Sequence, residues 1–450
     1  MKDPGNRKVS LGTRVMLVVT LLVLIGSVMI LIRFSSNRSI DLTGAGMNAL
    51  KLEEGYNGPD EVTGEPGHTP EPVQGNTKPA EPEKTLPAVN VPQTAAPGPA
   101  ETERSFSMTV AGTVAMDGEV RKNSYLSDSR TYDFTDVMSL LKSEIRSDLN
   151  AVFLENIISD DDKVSDTVTP SSVARVLRDT GFQIAACGFA NAWARESSGI
   201  SSTRTNLREN GISPAGIFEP DTRERVSITE INGIRVSVLM YTDSVSAATR
   251  KKMDKKGESD TVPAADSVQI AEDIAEARNR GAEAVVVLMN WGKVGKTPDK
   301  VQKALAQSIA DAGADLIIGA GSRVPQAAEY LTGRRPDGSE TKTLCIWSLG
   351  TVLSGERSNI RRISGYLLHF RIRLTRDGKT EVEQPEYTPL YTWRYRQDGQ
   401  YYYRCLAANR TPPDGMDNEQ IKSMDKAAEA TRSVLAGSPL TERQEGRQLP

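Results

Sequence analysis

Residues 313–326 read Gly-Ala-Asp-Leu-Ile-Ile-Gly-Ala-Gly-Ser-Arg-Val-Pro-Gln. Asp315–Ile318 is a short apolar run of the kind that forms a buried strand, and Pro298–Ala312 before it has helical spacing. One step upstream the pattern repeats. Ser267–Arg280 reads as a helix stopped at Gly281, and Ala284–Met289 (AVVVLM) as a wholly apolar strand ending in Asn290-Trp291-Gly292. One step downstream, Leu344–Leu349 (LCIWSL) reads as another strand. Strands apolar on both faces, alternating with amphipathic helices, predict an α/β fold whose sheet is covered on both sides.

The pattern extends towards the N-terminus. Phe106–Val114, Ala151–Leu154, Phe182–Phe189 and Ile234–Tyr241 read as strands; Asp136–Ile145, Ser171–Asp179 and Ser202–Asn210 read as helices, the last capped at Gly211. Beyond Leu349, Tyr366–Leu374 alternates strictly, and Asp377-Gly378 turns it into Lys379–Val382, predicting an antiparallel hairpin at the edge of the sheet. The aromatic-rich Tyr387–Cys405 continues the β structure, Asn418–Leu435 is an amphipathic helix, and residues 437–450 are polar and expected to fray.

The first hundred residues are of a different kind. Val15–Ile32 is uncharged and almost wholly apolar, a helix of roughly 27 Å that matches a bilayer core. Lys2, Arg7, Lys8 and Arg14 precede it and place the N-terminus inside, although Arg33 and Arg38 follow. A cleaved signal peptide is the competing reading, but no small-x-small site follows Ile32. From Glu53 to Glu103 the chain is rich in Pro, Glu, Thr and Gly, too poor in large apolar side chains to fold. The expected layout is a cytoplasmic basic tip and single transmembrane helix over 1–34, a disordered linker over 35–104 that contains His68, an extracytoplasmic domain over 105–410, and a C-terminal helix and polar tail over 411–450.

The 450 residues carry a net charge of −4, which gives no whole-chain signal for nucleic acid. With only two histidines, His68 and His369, a histidine-rich metal site is impossible. Cys187, Cys345 and Cys405 are widely spaced, without CxxC; buried free thiols and one disulfide with a leftover thiol both remain open.

The order of elements from Ser105 to Leu374, with the strand-end sequences, resembles the CapA-type capsule synthesis family, named for poly-γ-glutamate and similar in fold to calcineurin-like metallophosphatases. The resemblance rests on Gly112-Thr113-Val114-Ala115, Phe153-Leu154-Glu155, Gly188–Asn191 with Ala192–Ala194, Asn290-Trp291-Gly292, Gly313–Gln326 and Trp347–Thr351. It implies a layered α/β sheet with flanking helices and C-terminal antiparallel strands. It also implies polar ligands at the strand ends, and here the chain departs from the family. Thr113 and Ala194 stand where the family has aspartates. Asn191, Asn290, Ala320, Gly321 and Arg323 stand at its histidine positions, and Glu155 is the one family acid kept. A two-metal centre needs clustered carboxylates and imidazoles, so no metal and no cofactor is expected.

The candidate cleft is therefore Thr113, Glu155, Asn191, Asn290, Trp291, Lys293 and Arg323, with Lys296 and Arg195 adding positive charge and Trp193 and Trp291 at the rim either packing or stacking on sugars. Glu155 reads as a carboxylate bonded to nearby backbone, while Asp117, Glu119 and Asp160-Asp161-Asp162 are solvated loop acids or replacement ligands. The leading reading is a non-catalytic binding or scaffold protein on a single-pass membrane anchor, recognising an anionic envelope polymer or a protein partner. Two alternatives stay open: a metal-dependent hydrolase or transferase of capsule synthesis with a substituted ligand set, and an assembly subunit that positions a catalytic paralogue.

Overall fold

Alternating apolar strands and amphipathic helices build two sheets that face one another. The computed structural model describes residues 103–161, 163–222, 225–335 and 338–444. The apolar segment expected to span a membrane, the expected linker up to residue 102 and His68 lie outside them; among the described residues no helix is long and apolar enough to cross a membrane.

In chain order the main elements are β1 (Arg104–Val114), α1 (Gly118–Asn123), β2 (Leu149–Leu154), α2 (Ser172–Thr180), β3 (Ile184–Ala186), α3 (Glu196–Glu209), β4 (Ser213–Ala215), β5 (Thr229–Ile231) and β6 (Ile234–Thr242). There follow α4 (Ala247–Lys256), α5 (Ser267–Asn279), β7 (Ala284–Asn290), α6 (Lys300–Asp311), β8 (Leu316–Ala320), β9 (Ala328–Arg334), β10 (Glu340–Ile346) and β11 (Thr351–Leu353). The chain ends with β12 (Ser364–Leu374), β13 (Thr380–Gln397), β14 (Gln400–Ala407), α7 (Asn418–Leu435) and β15 (Thr441–Glu442).

The nine-stranded sheet runs β14-β13-β12-β1-β2-β3-β4, with β11 added beside β1 and β15 beside β13. The six-stranded sheet runs β9-β10-β8-β7-β6-β5. β7 shows why its sequence is apolar without interruption. Val286 and Leu288 face the layer between the sheets, with Met108, Val110, Ile318 and Phe370. Val285, Val287 and Met289 face outward under α5 and α6, against Ile270, Ile274, Ala306 and Ile309. Each such fully buried side chain contributes roughly 1.5–3 kcal/mol. The far face of the nine-stranded sheet is covered in the same way by Val173, Leu177, Ile200 and Leu207 of α2 and α3.

Parallel pairing of β1 with β2 and of β6, β7 and β8 aligns their C-terminal ends. An α/β sheet places its ligand crevice at such ends. The β12–β13 hairpin forms as the sequence predicts, but β14 rather than β13 is the edge strand.

Two expectations need correction, and one helix went unread. Asp136–Ile145 forms only turns and a short 3-10 segment, Ser139–Leu141, although Val137, Leu141 and Ile145 are buried. The Val137 carbonyl accepts from Cys405 N (2.8 Å), so it is engaged outside an α-helical ladder. The helix α4 was not legible, because only Met253 of AATRKKMDKK is buried. Residues 437–444 are not frayed: β15 pairs with Glu386 and Tyr387, and Glu442 binds Arg432.

All three cysteines are buried free thiols, and burial raises their pKa, that of Cys187 to about 12. His369 is buried between Thr109 and Thr388, each 3.0 Å from a ring nitrogen, and desolvation holds its pKa well below the ordinary value.

Candidate functional site

β1 and β2 run in register at their ends, Thr113 opposite Phe153, and Glu155 N donates to Val114 O (3.1 Å). Thr113 and Glu155 are thereby set at the same end of the nine-stranded sheet. The chain after β10 crosses close to β1: Thr113 N donates to Gly350 O (3.0 Å), and a Cβ on Gly112 would lie 2.4 Å from that oxygen, so only glycine fits. Thr351 pairs with Thr113, and its hydroxyl donates to the Arg323 carbonyl (3.1 Å).

That contact pins Arg323, which has a left-handed backbone (φ 54°), a conformation L-residues rarely hold without support from their surroundings. Its guanidinium bonds to Glu155 Oε1, joining the segment after β8 to the end of β2. Both side chains are largely shielded, 28% exposed for Arg323 and 16% for Glu155. Contrary to the sequence reading, the Glu155 carboxylate is answered by an arginine, and among the described residues no backbone N–H donates to it. Two polar atoms here, Thr113 Oγ1 and Glu155 Oε2, are buried without a hydrogen-bond partner.

Asn290 ends β7 and is buried. Its Nδ2 donates to Thr242 Oγ1 (3.1 Å) and Ser244 Oγ (2.7 Å), and those hydroxyls lie 2.7 Å apart. A Cβ on Gly321, whose φ is +99°, would lie 2.4 Å from Asn290 Oδ1. The amide is held between two strand ends by groups that satisfy one another. Asp243, between the two hydroxyl residues, accepts from Gly292 N (3.1 Å). Desolvation raises its pKa although the residue keeps solvent contact, and the Gly292 bond works against that rise.

The tryptophans are not rim platforms. Trp291 is 1% exposed, stacks on Trp347 at 5.5 Å and donates Nε1–H to the Trp347 carbonyl (3.0 Å). Trp193 is buried and donates to Glu258 (2.7 Å). Asn191 is half-buried in the turn after β3, and among the described residues no hydrogen bond joins its side chain to Glu155, Arg323 or Asn290. Arg195 begins α3.

Lys293 and Lys296 are exposed on the loop after β7. That loop is tied to the segment after β8 by Gly295 N to Ser322 O (2.8 Å) and by Gln326 Nε2 to Lys296 O (2.5 Å). Arg361, which the sequence reading missed, reaches the same segment through Pro325 O (3.4 Å). Its available signal was the Arg361-Arg362 pair following the Ser348-Leu349-Gly350 run.

The donors present do not fit a two-metal centre. Of the two strand-end acids described here, Glu155 is neutralised by a guanidinium and Asp243 accepts from Gly292 N, while Asn290 turns its N–H groups into a hydroxyl pair and Thr113 offers only a hydroxyl. The loop acids do not gather at the cleft. Asp117 caps α1 and accepts from Ser354 Oγ and Gly355 N (both 2.7 Å), Glu119 is exposed, and Asp160 accepts from Ser171 N (2.8 Å). Asp161 is exposed and Asp162 lies outside the described residues. No group of three or more metal-ligating His, Cys, Asp or Glu side chains occurs among the described residues.

Residues 107–356, more than half of the chain, match the family model described as bacterial capsule synthesis protein PGA_cap. The chain is 25% identical over 224 residues to the PGA biosynthesis protein CapA of Bacillus subtilis (strain 168), a match covering 49% of this chain and 55% of that protein. It is 26% identical over 227 residues to the capsule biosynthesis protein CapA of Bacillus anthracis, covering 48% and 53%. The chain thus spans about half the length of these curated relatives. Solved structures overlap loosely. NAD nucleotidase (NadN) of Haemophilus influenzae gives a TM-score of 0.39 at 10% identity, over 76% of this chain and 64% of that one. The calcineurin-like phosphoesterase YfkN of Bacillus subtilis gives 0.35 at 12%, over 74% and 99%.

Proposed function

The chain belongs to the bacterial capsule synthesis family of that matching model, and from this premise we propose that it is a non-catalytic, membrane-anchored binding protein of capsule or envelope polymer metabolism. The observation that supports this most is the Arg323–Glu155 ion pair, which puts a protein cation on the carboxylate at the end of β2. A guanidinium bonded to a carboxylate cannot make hydroxide or accept an oxygen ligand, as a metal would.

The ligand in this reading is an anionic polymer of the poly-γ-glutamate kind. Arg323 is already committed to Glu155, so attraction falls to Lys293, Lys296 and Arg361 along the Ser322–Gln326 segment. Asp243 and Asp299 flank the same loop and confine the attraction to that side. In this layout the span within residues 1–34 anchors the chain, 35–104 is a spacer, and the domain from 105 to 410 stands outside the membrane.

The test has two arms. Exposed to Mn²⁺, Zn²⁺ and Fe²⁺ and then washed, the protein is expected to retain no stoichiometric metal and to cleave neither phosphoesters nor γ-glutamyl amides. Poly-γ-glutamate is expected to bind, and the triple replacement Lys293→Ala, Lys296→Ala, Arg361→Ala to weaken it about tenfold, a loss of about 1.4 kcal/mol. Retained metal with turnover would put the hydrolase reading first, and Thr113 Oγ1 with Glu155 Oε2, both lacking partners, would be where to look for it. Unchanged affinity in the triple variant would remove the cleft from polymer binding.

A further inference from the structure

Away from the cleft, two walls enclose an open cavity of about 410 Å³, within the size range of small-ligand sites. One wall is the end of α1 and the short ladder that pairs Tyr125 with Tyr132 and Leu126 with Thr131. The other is the tip of the β13–β14 hairpin, which turns at Asp398-Gly399. The hairpin carries an aromatic stack in which Trp393 and Tyr395 lie 4.5 Å apart and Tyr395 and Tyr402 5.6 Å apart. The facing ladder carries another, Tyr125 against Tyr132 at 5.1 Å and Tyr132 against Phe134 at 6.0 Å. Tyr125 is 42% exposed, and Leu126 beside it 48%.

Between the aromatics the lining is hydrogen-bonding: Asn123, Ser127, Asp128, Asp133, Asp136 and Gln400. The chemistry excludes two ligand classes. An anion would meet three carboxylates and no lysine or arginine among the lining residues. A simple organic cation would find its place filled, because Arg404 lies 4.9 Å over Tyr395 and bonds to Asp136. Asp133 accepts from Thr135, at N (2.8 Å) and through its side chain, and Asp128 accepts from Ser127 Oγ (3.2 Å), and both carboxylates line the cavity.

What remains is a ring with an apolar face and a rim of hydroxyls. We infer that this cavity is a saccharide-binding subsite for a neutral or N-acetylated glycan, with Tyr125 and Tyr402 offering stacking faces and Asp128, Asp133 and Gln400 taking the hydroxyl and amide groups. A pyranose presents C–H bonds to an aromatic face and donor–acceptor hydroxyls around its edge. Carboxylates and a carboxamide accept and donate in the geometry those hydroxyls need. The inference does not rest on the polymer reading of the cleft, since it uses other residues and the opposite charge.

Titrate the full-length chain with an N-acetylglucosamine tetramer, cellotetraose, a galacturonate tetramer and choline, following heat or tyrosine fluorescence. Saturable binding of at least one of the first two is expected, with the galacturonate tetramer and choline weaker. Tyr402→Ala is expected to reduce it about tenfold or more, in line with loss of a stacking contact, and Gln400→Ala about threefold to tenfold, in line with loss of a neutral hydrogen bond. Tyr125→Ala, at an exposed site that the fold does not need, guards against loss through misfolding and is expected to weaken binding as well. Arg323→Ala should leave it unchanged. No saturable binding of either neutral tetramer, equal binding by the tyrosine variants, or preference for galacturonate or choline would overturn the assignment.

Discussion

The strand-end cleft and the hairpin cavity hold similar residue types in opposite conditions. In the cleft the aromatic and polar side chains are spent on the protein itself. Trp291 stacks on Trp347, Asn290 bonds to Thr242 and Ser244, and Arg323 bonds to Glu155. In the cavity, Tyr125 and Leu126 remain exposed and Gln400 faces solvent. The strand ends of the cleft lie within the segment that matches the family, whereas Arg361 and the β13–β14 hairpin, half of the cavity, lie beyond residue 356. The same residue types can therefore bond to one another at one place in a fold and face solvent at another.

The largest effect that could break this contrast is on stability. Trp291→Ala removes a fully buried indole and orphans the Trp347 carbonyl, so unfolding free energy should drop by about 3–5 kcal/mol. Tyr125→Ala, at an exposed position, should cost less than about 1 kcal/mol. Equal losses in thermal or urea unfolding would mean that the cavity aromatics also hold the fold together, and the contrast would collapse.

A middle-sized effect tests whether the cleft is closed by charge. Arg323→Glu sets a second carboxylate beside Glu155. Breaking a fully buried pair costs about 3–5 kcal/mol and an exposed one at most about 1, so this partly shielded pair should lose about 2–3 kcal/mol. Exchanging the two residues, Arg323→Glu with Glu155→Arg, should recover part of that loss. A single variant as stable as the parent would mean that backbone contacts alone, such as Thr351 to the Arg323 carbonyl, fix this segment.

These two regions were legible in the sequence to different degrees, for physical reasons. The continuous run AVVVLM had to be covered on both faces, and β7 is. Which residues stand at the strand ends was legible because it is a matter of residue identity. The Arg323–Glu155 pair was not, since it depends on how the end of one sheet sits against the end of the other. Trp193 and Trp291 read as rim aromatics because a sequence cannot say whether an indole N–H finds an internal acceptor; here Glu258 and the Trp347 carbonyl provide them. The cavity was illegible because Tyr125 and Tyr402 meet only through the docking of a hairpin on a distant ladder. The aromatic density of Tyr387–Cys405 was visible, but its direction was not.

The smallest expected effect is an absence, and it sharpens the contrast most. Between about 0.1 M and 1 M salt the screening length falls from about 10 Å to about 3 Å. Poly-γ-glutamate held at the exposed Lys293 and Lys296 and at Arg361 should lose about tenfold in affinity over that range, because its attraction acts through solvent. A neutral tetrasaccharide held by stacking on Tyr402 and by short hydrogen bonds should change less than about twofold, because those contacts operate at van der Waals range, inside even the shorter screening length. The two titrations, run on one preparation, read each site against the other. If the saccharide weakened in step with the polymer, the cavity would be sensing charge through its aspartates and would have been assigned the wrong ligand class. If the polymer held its affinity at high salt, the lysine rim would not be what binds it, and the cleft's chemistry would be directed wholly inward.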